Sequence, residues 1–501
     1  MLKIAFMPSE PSKKEAMAIF VSQGNVITSE VKALDKSLSG ALLPLIKKDK
    51  IFKGKTGQVL SLNTLFKKEP LRVLVVGVGK EADLDEIAAR KVGAKMAAAL
   101  NGMGVEAAVP HMSKIQKAKM SAPELASYIA QGAQLRLYEF DKYKGKDKEA
   151  APKLQKLTFV MSEANKAKTI FKSLEKVSEG VAFARDLASE PANELYPETF
   201  AKETRQLKKL GVSVQILTQA QMEKLGMGSL LSVSQGSDKP PRLVIMKWQG
   251  AGRGAKDKRP VALVGKGVTF DSGGISLKPS AGMGDMKYDM SGAAAVTGAM
   301  MALAGRKAKA NVVGLIGLVE NMPSGKATRP GDIVRSASGK TIEILNTDAE
   351  GRRVLADVVW YAQKYIKPRC IVDLATLTGA MPIALGQEYA GLFSNADKLA
   401  QVLDEAGNMV GEKLWRMPLC ANFNKLLDSQ VADMKDVGGR YAGSATGAHF
   451  IGRFIEEGMD WAHIDIAGVA YDNKDNVFAP QGPTGFGVKM LDRFVSLYAE
   501  K

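Results

Sequence analysis

Histidine is nearly missing from this 501-residue chain: His111, His449 and His463 are all there is. None stands in an H-E-x-x-H pattern, so histidine can hardly be the basis of a metal site. Cysteine is scarcer still. Cys370 and Cys420 are far apart and form no C-x-x-C, which removes thiolate metal clusters and a disulfide framework. No segment approaches about 18 uninterrupted apolar residues, so no membrane span is expected. The opening stretch Met1–Pro8 is too short for the apolar region of an export signal and reads as a first β-strand. With few cysteines and no export signal, a cytoplasmic home is the expectation. Internal repeats and low-complexity segments are lacking too.

What is present is globular: 46% hydrophobic and 25% charged residues. The length exceeds one ordinary core, so two domains are expected. The formal charge is +17 and is uneven. Residues 1–165 hold 27 lysines and arginines against 17 acids, the remainder 43 against 36. Such a face attracts nucleic acid, but a lysine-rich solvated surface that aids solubility is the plainer reading.

The octapeptide Asn346-Thr347-Asp348-Ala349-Glu350-Gly351-Arg352-Arg353 carries the most chemistry. It follows a mostly apolar run, Ile342–Leu345. On an extended backbone residues i and i+2 point to one side, so Asp348 and Glu350 can aim at one point. Bare carboxylates at one point repel unless a proton or cation lies between them. Upstream, Gly265-Lys266-Gly267-Val268-Thr269-Phe270-Asp271-Ser272-Gly273-Gly274 and Met286-Lys287-Tyr288-Asp289-Met290-Ser291-Gly292 add Asp271 and Asp289. Oxygen ligands of this kind suit Mg, Mn or Zn. Each acid taken singly reads as a surface or capping carboxylate; the set reads as a divalent metal site.

These stretches resemble the leucine (cytosol) aminopeptidase family. The resemblance rests on Asn346–Arg352, Gly265–Gly274 and Met286–Val296. It extends to Val319–Gly325, Asp373–Ala380, Trp461–Gly468 and Gly482–Val488, and runs from about Arg185 to the C-terminus. It implies a metal-dependent aminopeptidase with two divalent ions per subunit, Mn or Zn first and Mg or Co also compatible. Lys266, Asp271, Asp289, Asp348 and Glu350 would be the metal ligands, with Asp271 and Glu350 bridging. Lys266 would have to bind as a neutral amine, which a nearby dication allows; a salt-bridging lysine is the alternative. Lys278 and Arg352 are the catalytic candidates. Lys278 would stabilise the tetrahedral oxyanion, its alternative being a surface lysine beside Pro279. Arg352 would bind bicarbonate as proton shuttle, with backbone contacts from Leu377; a salt bridge to Glu350 is its alternative. Met286, Thr376 and Gly379 would line a substrate pocket preferring Leu or other apolar N-terminal residues, unless Met286 is simply a core methionine. His449 and His463 read as satisfied structural histidines. The resemblance further implies a homohexamer acting on peptides.

Two positions depart from the family pattern. Arg353 stands where leucine is usual, and is expected to bear on packing or carbonate affinity rather than on the metals. Thr446-Gly447-Ala448-His449 differs from a T-A-A pattern and bears on the pocket wall.

The expected fold class is α/β: an N-terminal α/β domain and a larger catalytic α/β domain with a central mixed sheet flanked by helices. The boundaries are 1–165, a linking helix over 166–192, and 193–501. Strands are expected over Lys3–Met7, Ala18–Val21, Arg72–Val78, Val105–Val109 and Leu157–Met161, with helices over Leu84–Leu100 and Glu124–Tyr138. In the second domain Pro260–Val264, Asn311–Val319, Cys370–Ala375 and His463–Ile466 look buried on both faces. Gly77-Val78-Gly79 lacks the third glycine of a phosphate loop and reads as a turn; Lys142–Lys148 reads as a solvated loop or hairpin. Ser338-Gly339-Lys340-Thr341 is not a P-loop, because Val334 stands where glycine is needed. Two other function classes compete with the enzyme: a DNA-binding accessory protein using the basic N-terminal domain, and a non-catalytic scaffold on the same fold. The first would show steep salt dependence but has no helix-turn-helix or zinc finger. The second would have lost a ligand or Lys278, and neither is lost.

Overall fold

The computed structural model describes residues 1–501 except 12–14, 67–68, 116, 146–152, 253, 255–256 and 501. The chain divides into two compact units, Met1–Ser178 with Lys474–Gln481, and Glu179–Asn473 with Gly482–Lys501. The division falls inside one long helix, Ala164–Ser189, where the sequence predicts a linking helix. The excursion Lys474–Gln481 groups with the first unit although it lies deep in the C-terminal sequence.

The first unit carries β1 (Lys3–Met7), β2 (Ala16–Ser22), β3 (Val59–Phe66), β4 (Glu69–Gly79), β5 (Ala107–His111) and β6 (Lys156–Val160), in the order β1-β6-β5-β2-β4-β3. Among the described strand pairs of this sheet, only β3–β4 is antiparallel. The polar alternation of Val59–Phe66 hid this strand, because it sits at the sheet edge with one face wet. Helices Glu86–Gly102 and Ala122–Arg136 flank the sheet. They approach closely, because a Cβ on Gly93 would stand 1.8 Å from the Ile129 carbonyl oxygen. Gly77 and Gly79 belong to β4 itself, not to the turn that the sequence suggests. A Cβ on Gly77 would stand 2.3 Å from the Lys55 carbonyl oxygen, which explains the glycine. Of the Lys142–Lys148 stretch, 146–148 lie outside the described residues; 142–145 form an irregular turn.

The second unit is built on β7 (Ser213–Leu217), β8 (Arg242–Gln249), β9 (Val261–Asp271) and β10 (Asn311–Asn321). Then come β11 (Ile333–Arg335), β12 (Thr341–Glu343), β13 (Cys370–Ala375), β14 (Ala390–Ser394), β15 (Leu414–Arg416), β16 (Met434–Lys435) and β17 (Trp461–Asp465). The main sheet runs β15-β14-β17-β13-β9-β10-β8-β7. Its centre, β10-β9-β13-β17, is parallel, and its flanks include antiparallel pairs. The central strands are continuous apolar runs because helices cover both faces. One cover is the helix Ser291–Gly305, nearly all small apolar residues and buried throughout most of its length. It lies so close that a Cβ on Gly265 would stand 2.6 Å from Ala293 Cα. The other cover is the helix Glu350–Tyr361. The parallel strands end on one edge, and the side chains of interest gather there, as open α/β sheets place their ligands.

Candidate metal centre and substrate cavity

Five elements bring the carboxylates and lysines together at the C-terminal ends of β9 and β13. Lys266 and Asp271 sit on β9. Asp289 follows a 3-10 turn, Met283–Tyr288. Lys278 lies in the loop after β9, and Asp348 in the loop before the helix Glu350–Tyr361, which Glu350 opens. The extended-strand premise for Asp348 and Glu350 needs correcting. Pairing in β12 ends at Glu343, and Ala349 caps the helix with φ −100° and ψ 37°. The two acids converge because a turn delivers one and a helix start delivers the other.

The geometry is tight. Lys266 Nζ donates to Asp289 Oδ1 at 2.7 Å and to the Thr376 carbonyl at 2.8 Å, and lies 2.8 Å from Glu350 Oε1. Lys278 Nζ lies 2.9 Å from Asp271 Oδ2 and also pairs with Asp348. Asp271, Asp348 and Glu350 each offer an oxygen within 4.8 Å of the others. Thr376 Oγ1 donates to Asp289 Oδ1 at 2.8 Å. Glycine clears the space: a Cβ on Gly351 would stand 2.5 Å from Lys266 Cε.

Four carboxylates face two ammoniums, so the cluster carries surplus negative charge. Burial pushes Asp271 up to about 6, with Glu350 adding repulsion against the pull of Lys278 and Lys266. Burial likewise holds Asp289 well above the usual carboxylate range. Burial opposes the charge of Lys266, yet Asp289, Glu350 and Asp271 outweigh it and hold the ammonium above the ordinary lysine range. Glu350 is pushed up by burial too, but Lys266 overrides this and leaves it below its ordinary value. Asp289 Oδ2 and Glu350 Oε2 are buried and have no hydrogen-bond partner among the described residues. Orphaned anionic oxygens are costly unless a cation takes them. The oxygen-rich donor set and its surplus charge therefore fit divalent ions.

The cluster forms one wall of a cavity of about 620 Å³. Met286, Thr376, Leu377 and Gly379 all line it, as does Arg352. Tyr288 and Tyr471 line it too, and their rings stack with centroids 4.4 Å apart. Arg352 is buried in the first turn of its helix and donates to the Asp436 carbonyl at 2.8 Å. No ion pair to Glu350 forms among the described residues. The Leu377 amide already donates to Asp465 Oδ1 at 3.1 Å, so in this structure it is committed to the fold. Gly447 keeps the Arg352 side open: a Cβ there would meet Leu377 at 3.1 Å and Arg352 Nη2 at 3.3 Å.

His449 Nε2 accepts the Cys420 amide at 3.1 Å. His463 Nδ1 lies 2.6 Å from Asp373 Oδ1, whose other oxygen accepts Trp461 Nε1 at 2.7 Å. Neither histidine lines the cavity. Sequence reasoning missed Asp465, Asn321 and Asp436. Asp465 holds Leu377 and Thr378, Asn321 Nδ2 donates to Asp271 Oδ1 at 2.8 Å, and Asp436 Oδ1 accepts the Leu345 amide at 2.8 Å. Asp465 at the end of an apolar strand was the one legible signal.

The fold and site define a two-unit α/β enzyme with an acidic, lysine-bearing centre in a cavity. The profile of the cytosol aminopeptidase family, catalytic domain, matches residues 182–492, and that of the family's N-terminal domain matches 18–147. A probable cytosol aminopeptidase of Bradyrhizobium sp. (strain BTAi1) is 49% identical, covering 99% of this chain and 98% of its own. One from Rickettsia peacockii (strain Rustic) is 43% identical, covering 99% and 100%. Among solved structures, the bottromycin maturation enzyme BotP in complex with Mn superposes with a TM-score of 0.84 at 33% identity, covering 97% of this chain and 99% of that one. The chain belongs to the cytosol aminopeptidase family. It is a metal-dependent aminopeptidase, a hydrolase. No helix among the described residues is long and apolar enough to cross a membrane.

Proposed function

We propose that this chain removes the N-terminal residue from peptides, preferring Leu and other apolar residues, with two divalent ions held by Lys266, Asp271, Asp289, Asp348 and Glu350. The observation that carries this reading is the cluster of four carboxylates with orphaned oxygens on the wall of the cavity. Mn or Zn is the proposed pair, and Mg or Co suits the same oxygens. Bound ions of this kind supply Lewis acidity toward the scissile carbonyl and lower the pKa of an attacking water.

The chain's own residues supply the rest. Lys266 must give up its proton to serve as a ligand, and so exchanges its present role as counter-ion to Asp289 and Glu350. Lys278 is partly exposed to the cavity and carries its charge toward the reacting carbonyl, where it stabilises the developing oxyanion. Arg352, bordered by Leu377, presents its guanidinium where a helix N-terminus also favours an anion, and holds bicarbonate as the proton shuttle. Its Nε is buried and has no hydrogen-bond partner among the described residues, which supports an anion there. Met286, Thr376 and Gly379 border the N-terminal side chain of the substrate. We place this activity in the cytoplasm and assign a homohexamer, both on the strength of the family.

The deciding experiment is hydrolysis of Leu-p-nitroanilide by chelator-stripped protein refilled with Mn or Zn, beside the same substrate with a blocked N-terminus. Metal-dependent release from the free amine alone is the expected result. Release from both substrates would refute exopeptidase action, and no release with any metal would refute the reading altogether.

A further inference from the structure

The residue after Arg352 raises a separate question. Arg353 is completely buried, one of the largest fully buried side chains in the protein. Its guanidinium has no carboxylate within ion-pair distance among the described residues, and its Nε has no hydrogen-bond partner there. Burying such a group without full compensation is costly, and an apolar side chain of similar size would avoid that cost. Only directed hydrogen bonds distinguish arginine here. There are two: Nη1 to Ser232 Oγ at 3.2 Å, and Nη2 to the Thr347 carbonyl at 3.1 Å.

Thr347 is the knot that ties the two acidic loops together. Its carbonyl also accepts Asn321 Nδ2 at 3.1 Å, and that same amide nitrogen donates to Asp271 Oδ1. Its Oγ1 donates to the Gly273 carbonyl at 2.6 Å and accepts the Ser276 amide at 2.8 Å. Its own amide donates to Ser276 Oγ at 3.1 Å. Asp348 is the next residue. It is the most exposed of the four carboxylates, at 32% of its side chain. It sits in a loop, whereas Asp271 ends a strand and Glu350 opens a helix. Its position therefore depends most on what holds Thr347. Ser232, at the other end of the guanidinium, belongs to the buried helix Gly228–Ser234. Ser229 Oγ of that helix donates to the Arg353 carbonyl at 2.8 Å.

We propose that Arg353 is a positioning residue: it braces the Thr347 carbonyl against the helix Gly228–Ser234 and thereby holds Asp348 in register as a metal ligand. The inference rests on the metal reading of the cluster and locates Arg353's effect at the metals rather than at packing or bicarbonate. Its positive charge works the other way, repelling cations, so charge and geometry predict opposite signs. That opposition makes the idea testable. Removing the brace loosens one metal equivalent; removing charge alone would tighten it.

The test is Mn binding to the full chain by chelator competition, with the electron paramagnetic resonance spectrum of the Mn-loaded protein recorded alongside. Wild type is expected to bind two equivalents; failure of that would sink the metal reading and this inference with it, whereas two equivalents in wild type leave the variants to decide this inference alone. Arg353→Met is expected to weaken one equivalent by about tenfold and leave the other, with loss of the coupled two-ion signal at limiting Mn. Arg353→Lys keeps the charge and one donor, and should recover part of the loss. Should Arg353→Met fold poorly, Ser232→Ala cuts only the far end of the brace and should weaken the same equivalent by a smaller factor. Unchanged or tighter Mn binding in Arg353→Met, or, if that variant does not fold, in both Arg353→Lys and Ser232→Ala, overturns the proposal.

Discussion

Lys266 Nζ stands 2.8 Å from Glu350 Oε1, and neither side chain reaches solvent to any useful degree. A buried ion pair contributes little to net stability when intact, but losing one partner strands the other charge in a low-dielectric site. On the proposed metal reading the pair also marks where a cation would compete with a proton. Lys266 as an ammonium neutralises Asp289 and Glu350; on that reading a divalent ion would take over that role and drive the proton off.

Glu350→Gln tests that competition. The amide cannot bridge two cations, so both metal content and turnover should fall, the latter to background. The apoprotein should lose about 3 kcal/mol, because Lys266 keeps only Asp289 as an adjacent anion. Metal analysis after desalting and a urea titration check the two halves separately. Full metal content in this variant would contradict the ligand assignment.

Lys278→Ala should behave differently. Lys278 is partly exposed, and Asp271, one of the two acids it pairs with, is also held by the Gly273 amide and Asn321 Nδ2, so the fold and the metal should survive. Turnover should drop about 10²- to 10³-fold, the usual cost of removing one oxyanion donor, with KM little changed. A fully active Lys278→Ala enzyme would remove lysine from the mechanism.

Gly351→Ala probes packing rather than chemistry. The added methyl would lie 2.5 Å from Lys266 Cε and 2.8 Å from its Nζ. Both groups are buried, so the helix Glu350–Tyr361 must move or Lys266 must leave its rotamer. We expect a stability loss of about 1–3 kcal/mol together with a loss of metal, measured by thermal unfolding and metal analysis. Wild-type values for both would show that the helix yields without disturbing the centre.

The sequence made the chemistry of this site more legible than its geometry. Asp271, Asp289, Asp348 and Glu350 were readable because oxygen ligands cluster in short, glycine-rich stretches at strand ends. How they converge was not. Asp348 and Glu350 looked like neighbours on a strand, because alternation along an apolar run is the only local signal two residues can give. The helix start at Glu350 depends on burial against Lys266 and β9, which is tertiary. The central strands were readable from their apolar runs, whereas β3 was not, since an edge strand shares its polar alternation with exposed loops. Asp465 and Asn321 escaped notice because single polar residues in apolar strands show no partner until the loops close over them. The return of Lys474–Gln481 to the first unit has no local signature at all.

His463 offers a prediction independent of the metals. Its ring lies wholly inside the second unit, beside Asp373 at 2.6 Å, with Phe393 stacked at 6.0 Å and Asp465 two residues on along β17. Burial works against the imidazolium, but Asp373, supported by Asp465 and opposed by Arg352, outweighs it and raises the native value above the ordinary 6.5. The folded protein then holds this proton more tightly than the unfolded chain does. The resulting stability is fully present below about 6.5 and is lost as pH rises through the raised native value. Thermal midpoints should therefore decline from pH 6.5 upward in the wild type. His463→Gln keeps a donor for Asp373 but cannot titrate, so its midpoint should start lower and stay flatter over the same window. Asp373→Asn removes the cause of the shift; the imidazole should then be neutral at pH 7 and the slope should vanish, with about 3 kcal/mol lost below pH 6.5. If wild type and His463→Gln trace parallel curves, the histidine is neutral in the fold and Asp373 acts on it only as a hydrogen-bond acceptor.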